Sequence, residues 1–406
     1  MALIVRRGDL PNTPHTEFYA IPGVLALEEI HGSYGFDGPW SRKMHVRHYP
    51  TEQSSRPTVA DFHFRPTFVD AAAVALEPYM IHSGDIPYGG DALRSRFALC
   101  GGHSTLMSVI KATESFPADA FFRNAASHEL FFVQEGSGVL SSEFGELPFK
   151  QHDYIVVPKA TTYRIDLHEG SVWLLLIESK FPYEWPPHYM NRGGQAHMTA
   201  PVVETEIGLP ELRPFRDEVG EFTVFIKAPG GTVTDSRQSH HPFDVSGWEG
   251  ALYPFTFPIL NHHGIAREIH TAPPMHNTFQ SGHIPNTGFS VCSFVPQMEG
   301  WHPKEVCAPY AHMNVDSDEF MFFCNGSYGA RKGIIKDGSI SLHQGGVPHS
   351  PHGKAAERSL VNRGKIAERL AVMLDTYFEP LTITVPALEF CDPEYSTSWS
   401  RAAQTQ

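Results

Sequence analysis

No stretch of this chain approaches the ~18 uninterrupted apolar residues that a membrane-spanning helix needs, so no membrane span is expected. The first residues, Met1-Ala-Leu-Ile-Val-Arg-Arg, lack an apolar core after the two arginines and do not read as a secretory signal. Cysteine is scarce. Cys100, Cys292, Cys307, Cys324 and Cys391 are scattered through 406 residues, and no two have CxxC spacing. That excludes a disulfide scaffold and suits reduced thiols in a cytoplasmic protein. Positive charge is short as well. Lys plus Arg number 31 against 45 Asp plus Glu, a net charge of −14, so a phosphate backbone is a poor partner and no nucleic acid is expected. Low-complexity tracts are missing too.

What is present points to a folded all-β chain. Apolar residues make up 41%, enough for a large core. Gly 34 and Pro 33 together give 67 of 406, about one residue in six, which suits short strands joined by turns. Histidine, at 24, is unusually frequent. The first 60 residues have no sustained period and read as an irregular arm with short strands. Strand-like runs follow at 130–133, 154–157, 171–177 and 222–227. Helix candidates are short, at 91–97 and 354–359, and residues 369–378 read as strand, with helix as the alternative. Pro186, Pro187, Gly193 and Gly194 make 184–200 the best linker. The expected division is an arm and first domain over 1–200 and a second domain over 201–406.

One pattern occurs twice. Glu129 and Gly136 enclose six residues of apolar strand, and so do Glu319 and Gly326. Each is followed by a further strand and a Val-Pro pair, Val157-Pro158 and Val347-Pro348. Two copies of one β-barrel unit is the economical reading. The second copy reads His312-x-Asn314-x4-Glu319-x6-Gly326, then Gly338-x5-Gln344-x-Gly346-x2-His349. This resembles the two motifs of the cupin superfamily, with Asn and Gln at two positions usually held by His and Pro. Inward side chains on adjacent strands of a small barrel converge, so His312, Glu319 and His349 are the expected metal ligands. Two imidazoles and one carboxylate on one face suit non-haem Fe(II) and oxygen chemistry. Asn314 favours three protein ligands over four. His352 and His343 compete with His349, and the Gly346-x2-His spacing decides for His349.

The first copy lacks this set. The same spacing puts Phe122 and Asn124 where His312 and Asn314 stand, and Tyr163 where His349 stands. His128 and His152 are one step out of register, and one step turns a strand side chain to the other face. One Fe(II) per chain is therefore expected. Glu129, inside a barrel without a cation, needs hydrogen-bond donors. Tyr163 is a candidate donor, with Phe131 and Val133 helping to fill the interior.

Three segments, Phe243-Asp-Val-Ser-Gly-Trp-Glu-Gly, Asn314-Val-Asp-Ser-Asp-Glu-Phe-Met and Leu342-His-Gln-Gly-Gly-Val-Pro-His-Ser-Pro-His-Gly, resemble the homogentisate 1,2-dioxygenase family. The resemblance implies a bicupin with one Fe(II), ligated by His312, Glu319 and His349. It implies a small aromatic substrate and dioxygen, with ring opening of homogentisate to maleylacetoacetate in tyrosine and phenylalanine breakdown. It also implies a homo-oligomer, trimer or hexamer. Carried over residue by residue, it puts His276 and His343 at the substrate's hydroxyl proton, and Tyr328, His343 and Arg331 at the substrate, with Lys332 nearby. The sequence departs from the family where Tyr310-Ala-His-Met-Asn replaces Tyr-Tyr-His-Arg-Asn, and where His312 to Glu319 is one residue longer. This is a divergent branch. Gentisate or a hydroquinone is the alternative substrate; a metal-dependent cupin isomerase and a non-catalytic bicupin are the rivals from other classes.

Overall fold

The chain is described here by a computed structural model covering residues 4–47, 54–57 (backbone alone), 62, 64–168, 170–264, 277–281, 288–326, 334–351 and 354–399. The strand Val172–Ser179, Val-Trp-Leu-Leu-Leu-Ile-Glu-Ser, explains much of the architecture. All its residues are buried, so both faces must be covered. It lies mid-sheet in the order Phe255–Pro258, Asp153–Val157, His128–Glu135, Val172–Ser179, Thr105–Ala112, Arg96–Gly101, Thr382–Ile383. Side chains alternate across this sheet. Phe131, Val133, Leu174 and Leu176 join Ile110, Ile155, Tyr163 and Ile165 in one core. Leu130, Phe132, Leu175 and Ile177 face the other way and meet Phe320, Phe322, Ile340, Leu342, Val372 and Leu374. Each such side chain contributes roughly 1.5–3 kcal/mol when fully buried.

The first core is the inside of a barrel. Its other wall is a second seven-stranded sheet in the order Gly145–Phe149, Gly138–Ser142, Thr162–Leu167, Ala120–Asn124, Val219–Lys227, Val233–His240, Ser54–Pro57. The second core is the layer between this barrel and the next. The second barrel is built on six strands in the order Asn277–Gln280, Phe289–Phe294, Ala371–Thr376, Glu319–Phe323, Ser339–His343, Tyr79–His82. A two-stranded sheet, Gln297–Glu299 with Lys365–Ala367, and an isolated bridge between His312 and His349 complete its described part. Two sheet-built barrels back to back make the fold a bicupin. Gly338, at φ 72°, shows how close they come: a Cβ there would collide with the Trp173 ring of the first barrel.

Several expectations need correction. Residues 91–97 are not a helix. Asp91 accepts the N–H groups of Leu93 and Arg94, giving one turn, and a strand begins at Arg96. The helix expected at 354–359 is Ala355–Ser359, the one α-helix among the described residues, and 369–378 contains the strand Ala371–Thr376. The pairing also does not divide at residue 200. Val219–Lys227 runs parallel to Ala120–Asn124 inside the first barrel, and Tyr79–His82 edges the second. The arm is more ordered than its composition suggests: Val5–Gly8, Leu27–Gly32 and Trp40–His45 form a four-stranded sheet with Val245–Gly250. Pro and Gly at 184–200 mark turns rather than a border, for Trp185 is buried and Glu184 bridges to Gln280. No helix of the described residues is long and apolar enough to cross a membrane.

Candidate metal centre

Glu319 opens its strand facing away from the inter-barrel layer, because Phe320 and Phe322 occupy that layer. Directly opposite it stand His343 on one neighbouring strand and Asp375 on the other. His312 and His349 reach the same place by a different route. Each donates its backbone N–H to the other's carbonyl, at 3.0 and 2.9 Å, so the two side chains share a face. Their Nε2 atoms lie 3.4 and 3.6 Å from Glu319 Oε2, and the three candidate donor atoms all lie within 4.8 Å of one another. The structure thus brings together the three residues chosen from spacing.

The donor set fits a divalent ion. His312 Nδ1 faces the Tyr310 carbonyl at 3.4 Å and His349 Nδ1 faces that of Val347 at 3.1 Å. A neutral imidazole donating from Nδ1 keeps its lone pair on Nε2, here aimed at the carboxylate. His349 Nε2 is buried and has no hydrogen-bond partner among the described residues, which a metal ion would remedy. Burial alone would raise the Glu319 carboxyl. The imidazoles of His312, His343 and His349 beside it outweigh burial and hold the group well below the ordinary carboxylate range. The Glu319 carboxylate beside it favours a proton on His312 and raises it, although burial opposes this. Asp375 behaves in the opposite way: burial, then the negative Glu319 beside it, push its carboxyl up to about 7. Asn314 turns its amide to Asp375 Oδ1 at 3.4 Å. The His312 side chain is 36% exposed, so the centre opens on that side. A cavity of ≈560 Å³ lined by Tyr310, Ala311, Ser350 and Pro351 borders the bridge.

His343 is held at both ring nitrogens. Nδ1 is 3.0 Å from Glu319 Oε1 and Nε2 is 3.0 Å from the Tyr395 hydroxyl. His276, Tyr328, Arg331, Lys332 and His352 lie outside the described residues. Sequence reasoning missed Asp375 and Tyr395. Asp375 had a signal, as an acid in the apolar strand Ala371–Thr376; Tyr395 had none, for it comes from a C-terminal turn far along the chain.

The first barrel repeats this geometry with different chemistry. Glu129 pairs with Val157 and Glu178, as Glu319 does with His343 and Asp375. Phe122 pairs with Tyr163, as His312 does with His349. Asn124 donates to Glu178 as Asn314 does to Asp375. In place of an ion stands the buried guanidinium of Arg96. It is 3.0 Å from Glu129 Oε1, 3.0 Å from the Tyr163 hydroxyl and 4.7 Å from the Phe122 ring centre. Tyr163 in turn donates to Glu129 Oε2 at 2.9 Å, as expected of it. Lys227 meets both oxygens of Glu178, at 2.6 and 2.8 Å. Burial pushes the Glu129 carboxyl up. Glu178 is also buried, but Lys227 and Arg96 hold it below its usual value. His128 and His152 stay out of this interior. His128 accepts the Lys159 N–H, and His152 stacks on Phe132, which faces the inter-barrel layer. A further group, Glu29, His45 and Glu143, has metal-like spacing, but Lys43 Nζ already lies 2.8 and 2.9 Å from its two carboxylates.

Residues 98–259 match the homogentisate 1,2-dioxygenase N-terminal family and residues 267–406 the homogentisate 1,2-dioxygenase C-terminal family. A Saccharolobus solfataricus protein, named only provisionally as a dioxygenase, is 32% identical over 399 residues, 98% of this chain and 99% of its own. The homogentisate 1,2-dioxygenase of Caenorhabditis elegans is 25% identical over 268 residues, 63% of this chain and 58% of that enzyme. That of Rhodopseudomonas palustris (strain HaA2) is 26% identical over 305 residues, 73% of this chain and 66% of that enzyme. Among solved structures, a salicylate 1,2-dioxygenase variant from Pseudoaminobacter salicylatoxidans in complex with gentisate aligns at TM-score 0.35 and 10% identity, over 78% of this chain and 88% of that one. A cupin 2 conserved barrel domain protein from Leptotrichia buccalis aligns at TM-score 0.32 and 10% identity, over 75% of this chain and 98% of that one.

Proposed function

The chain belongs to the homogentisate 1,2-dioxygenase family, and from that premise we propose that it is an Fe(II) dioxygenase opening the ring of homogentisate, to maleylacetoacetate, or of a closely related para-dihydroxylated aromatic acid. One observation carries the reading: two imidazole nitrogens and a carboxylate converge at one end of the second barrel, and one of those nitrogens is buried with no hydrogen-bond partner among the described residues. Fe(II) held by His312, Glu319 and His349 would supply a Lewis acid for the substrate's phenolate and an ion competent to activate dioxygen.

The protein's own groups supply the rest. A phenol, with a pKa near ~10, must lose its proton to bind as phenolate at neutral pH. An imidazole titrates in the right range to take it. His343 has both nitrogens engaged, so we assign proton uptake to His276 and give His343 the task of holding Glu319. The anionic Glu319 offsets the charge of the ion, and the backbone bridge keeps His312 and His349 aimed at it before anything binds. Tyr328 and Arg331, which follow the Glu319 strand in sequence, are assigned to the substrate and its carboxylate.

The test is anaerobic loading with Fe(II), followed by oxygen-electrode assays on homogentisate, gentisate and hydroquinone. Oxygen uptake matching homogentisate consumed, with an acyclic diketo acid as product, is the expected result. Uptake with gentisate alone moves the substrate within the same chemistry. An iron-loaded protein that takes up no oxygen with any of these overturns the proposal.

A further inference from the structure

We propose that Tyr395, on the C-terminal turn, is a positioning residue of the metal centre that acts through His343 to fix which oxygen of Glu319 faces His312 and His349. The inference rests on the assignment of those three residues as ligands.

Glu319 presents Oε2 to the two imidazoles, while Oε1 is held 3.0 Å from His343 Nδ1. A carboxylate only accepts hydrogen bonds, so the proton of this contact belongs to Nδ1. In the neutral ring Nε2 then keeps a lone pair, and a buried lone pair needs a donor. The Tyr395 hydroxyl is that donor, 3.0 Å away and on a residue 1% exposed. The orientation matters because His343 lies flat against His349, ring centres 3.9 Å apart and planes 19° from parallel. If His343 turned, it would release Oε1 and lose the stack on a ligand in the same movement.

Tyr395 is itself fixed from several sides. Its ring packs with Met80, Phe323, Ile335 and Ala371 and meets Trp399 edge-on at 5.2 Å. Trp399 Nε1 donates to the carbonyl of Ser350, the residue after His349, at 2.9 Å. Asp392 N–H donates to Met80 O at 2.8 Å. The turn between Asp392 and Trp399 therefore ties the edge strand Tyr79–His82, the His343 ring and the loop carrying His349 into one unit. A tyrosine needed only for packing could be phenylalanine here; the hydroxyl is the part that the core does not require.

Co(II) titrated into metal-free protein reads the centre by its visible absorption and needs no substrate. Tyr395→Phe keeps the ring, so the metal-free protein should stay cooperatively folded with only a modest drop in its unfolding midpoint from the unmet Nε2, while Co(II) binding weakens ~10–100-fold. In a His343→Phe background, where no Nε2 exists to be met, adding Tyr395→Phe should weaken binding no further. Unchanged affinity in Tyr395→Phe, or the same loss in both backgrounds, overturns the inference. If the wild-type protein takes up no Co(II), the ligand assignment itself has failed, and the inference falls with it.

Discussion

Glu319 has to stay ionised where burial opposes it, and it does so because three imidazoles surround it. Its charge is what a metal would use. Glu319→Gln keeps the shape but replaces an anionic ligand with a neutral amide that binds divalent ions poorly. The expected outcome is a folded protein that has lost most of its iron and all ring cleavage. Metal analysis after anaerobic loading, with circular dichroism for the fold, checks it. Retention of wild-type iron would remove Glu319 from the ligand set. The register behind His349 was legible in the sequence from Gly346-x2-His. The task of His343 was not, because its two partners, Glu319 and Tyr395, are 24 and 52 residues away along the chain.

At the scale of elements, the barrels run the same ladder with different cations. The pair Phe122–Tyr163 stands where His312–His349 does, and Glu129 where Glu319 does. Arg96 and Lys227 bring two positive charges to the two carboxylates of Glu129 and Glu178. A permanent guanidinium in that place leaves no room or charge for an ion. One metal ion per chain is therefore expected, and a content near two would overturn the account. Arg96→Met should destabilise by about 3–5 kcal/mol, since it strips a partner from buried carboxylates. Glu129→Gln should cost stability at most. Urea unfolding measures both, and neither should alter the iron content per folded chain. Spacing predicted where Glu129 and Tyr163 would meet. Spacing does not disclose the arginine: the local sequence at 91–97 suits a helix, whose period would not aim Arg96 into a barrel, whereas a strand begins at Arg96.

Across the whole molecule, the N-terminal sheet is joined to the first barrel through buried charge, with Lys43 Nζ 2.9 Å from Glu143, and it holds a charged cluster of its own. His45 sits between Asp244 and Glu29, at 2.7 and 2.9 Å. Burial opposes its charge, but those hydrogen bonds prevail and hold the imidazole at about 9. An unfolded imidazole titrates near ~6.5, so the folded state gains stability that is full below that pH and lost as pH rises through about 9. The shift corresponds to roughly 3 kcal/mol at most. Urea midpoints measured between about pH 6 and about pH 10 should fall in the wild type, and the fall should be shallower in His45→Gln. Equal slopes would show that His45 carries no such linkage.

The sequence by itself determined the all-β class, the doubled unit and the register of the residues that face inward. Strand side chains alternate with a period of two, and two half-motifs at fixed spacing leave little freedom in which residues converge. Only the tertiary structure decided what partners those residues have. Arg96, Glu178 and Lys227 meet in the first barrel from strands far apart in the chain, and Asp375 and Tyr395 reach the second from its C-terminal end. The strand Val219–Lys227 crosses back into the first barrel past a segment whose prolines and glycines look like a border. Local composition records where the backbone turns. It carries no record of which distant strand supplies the next hydrogen bond, because that is settled by the burial of both faces of the sheets and by the need to pair every charge left inside.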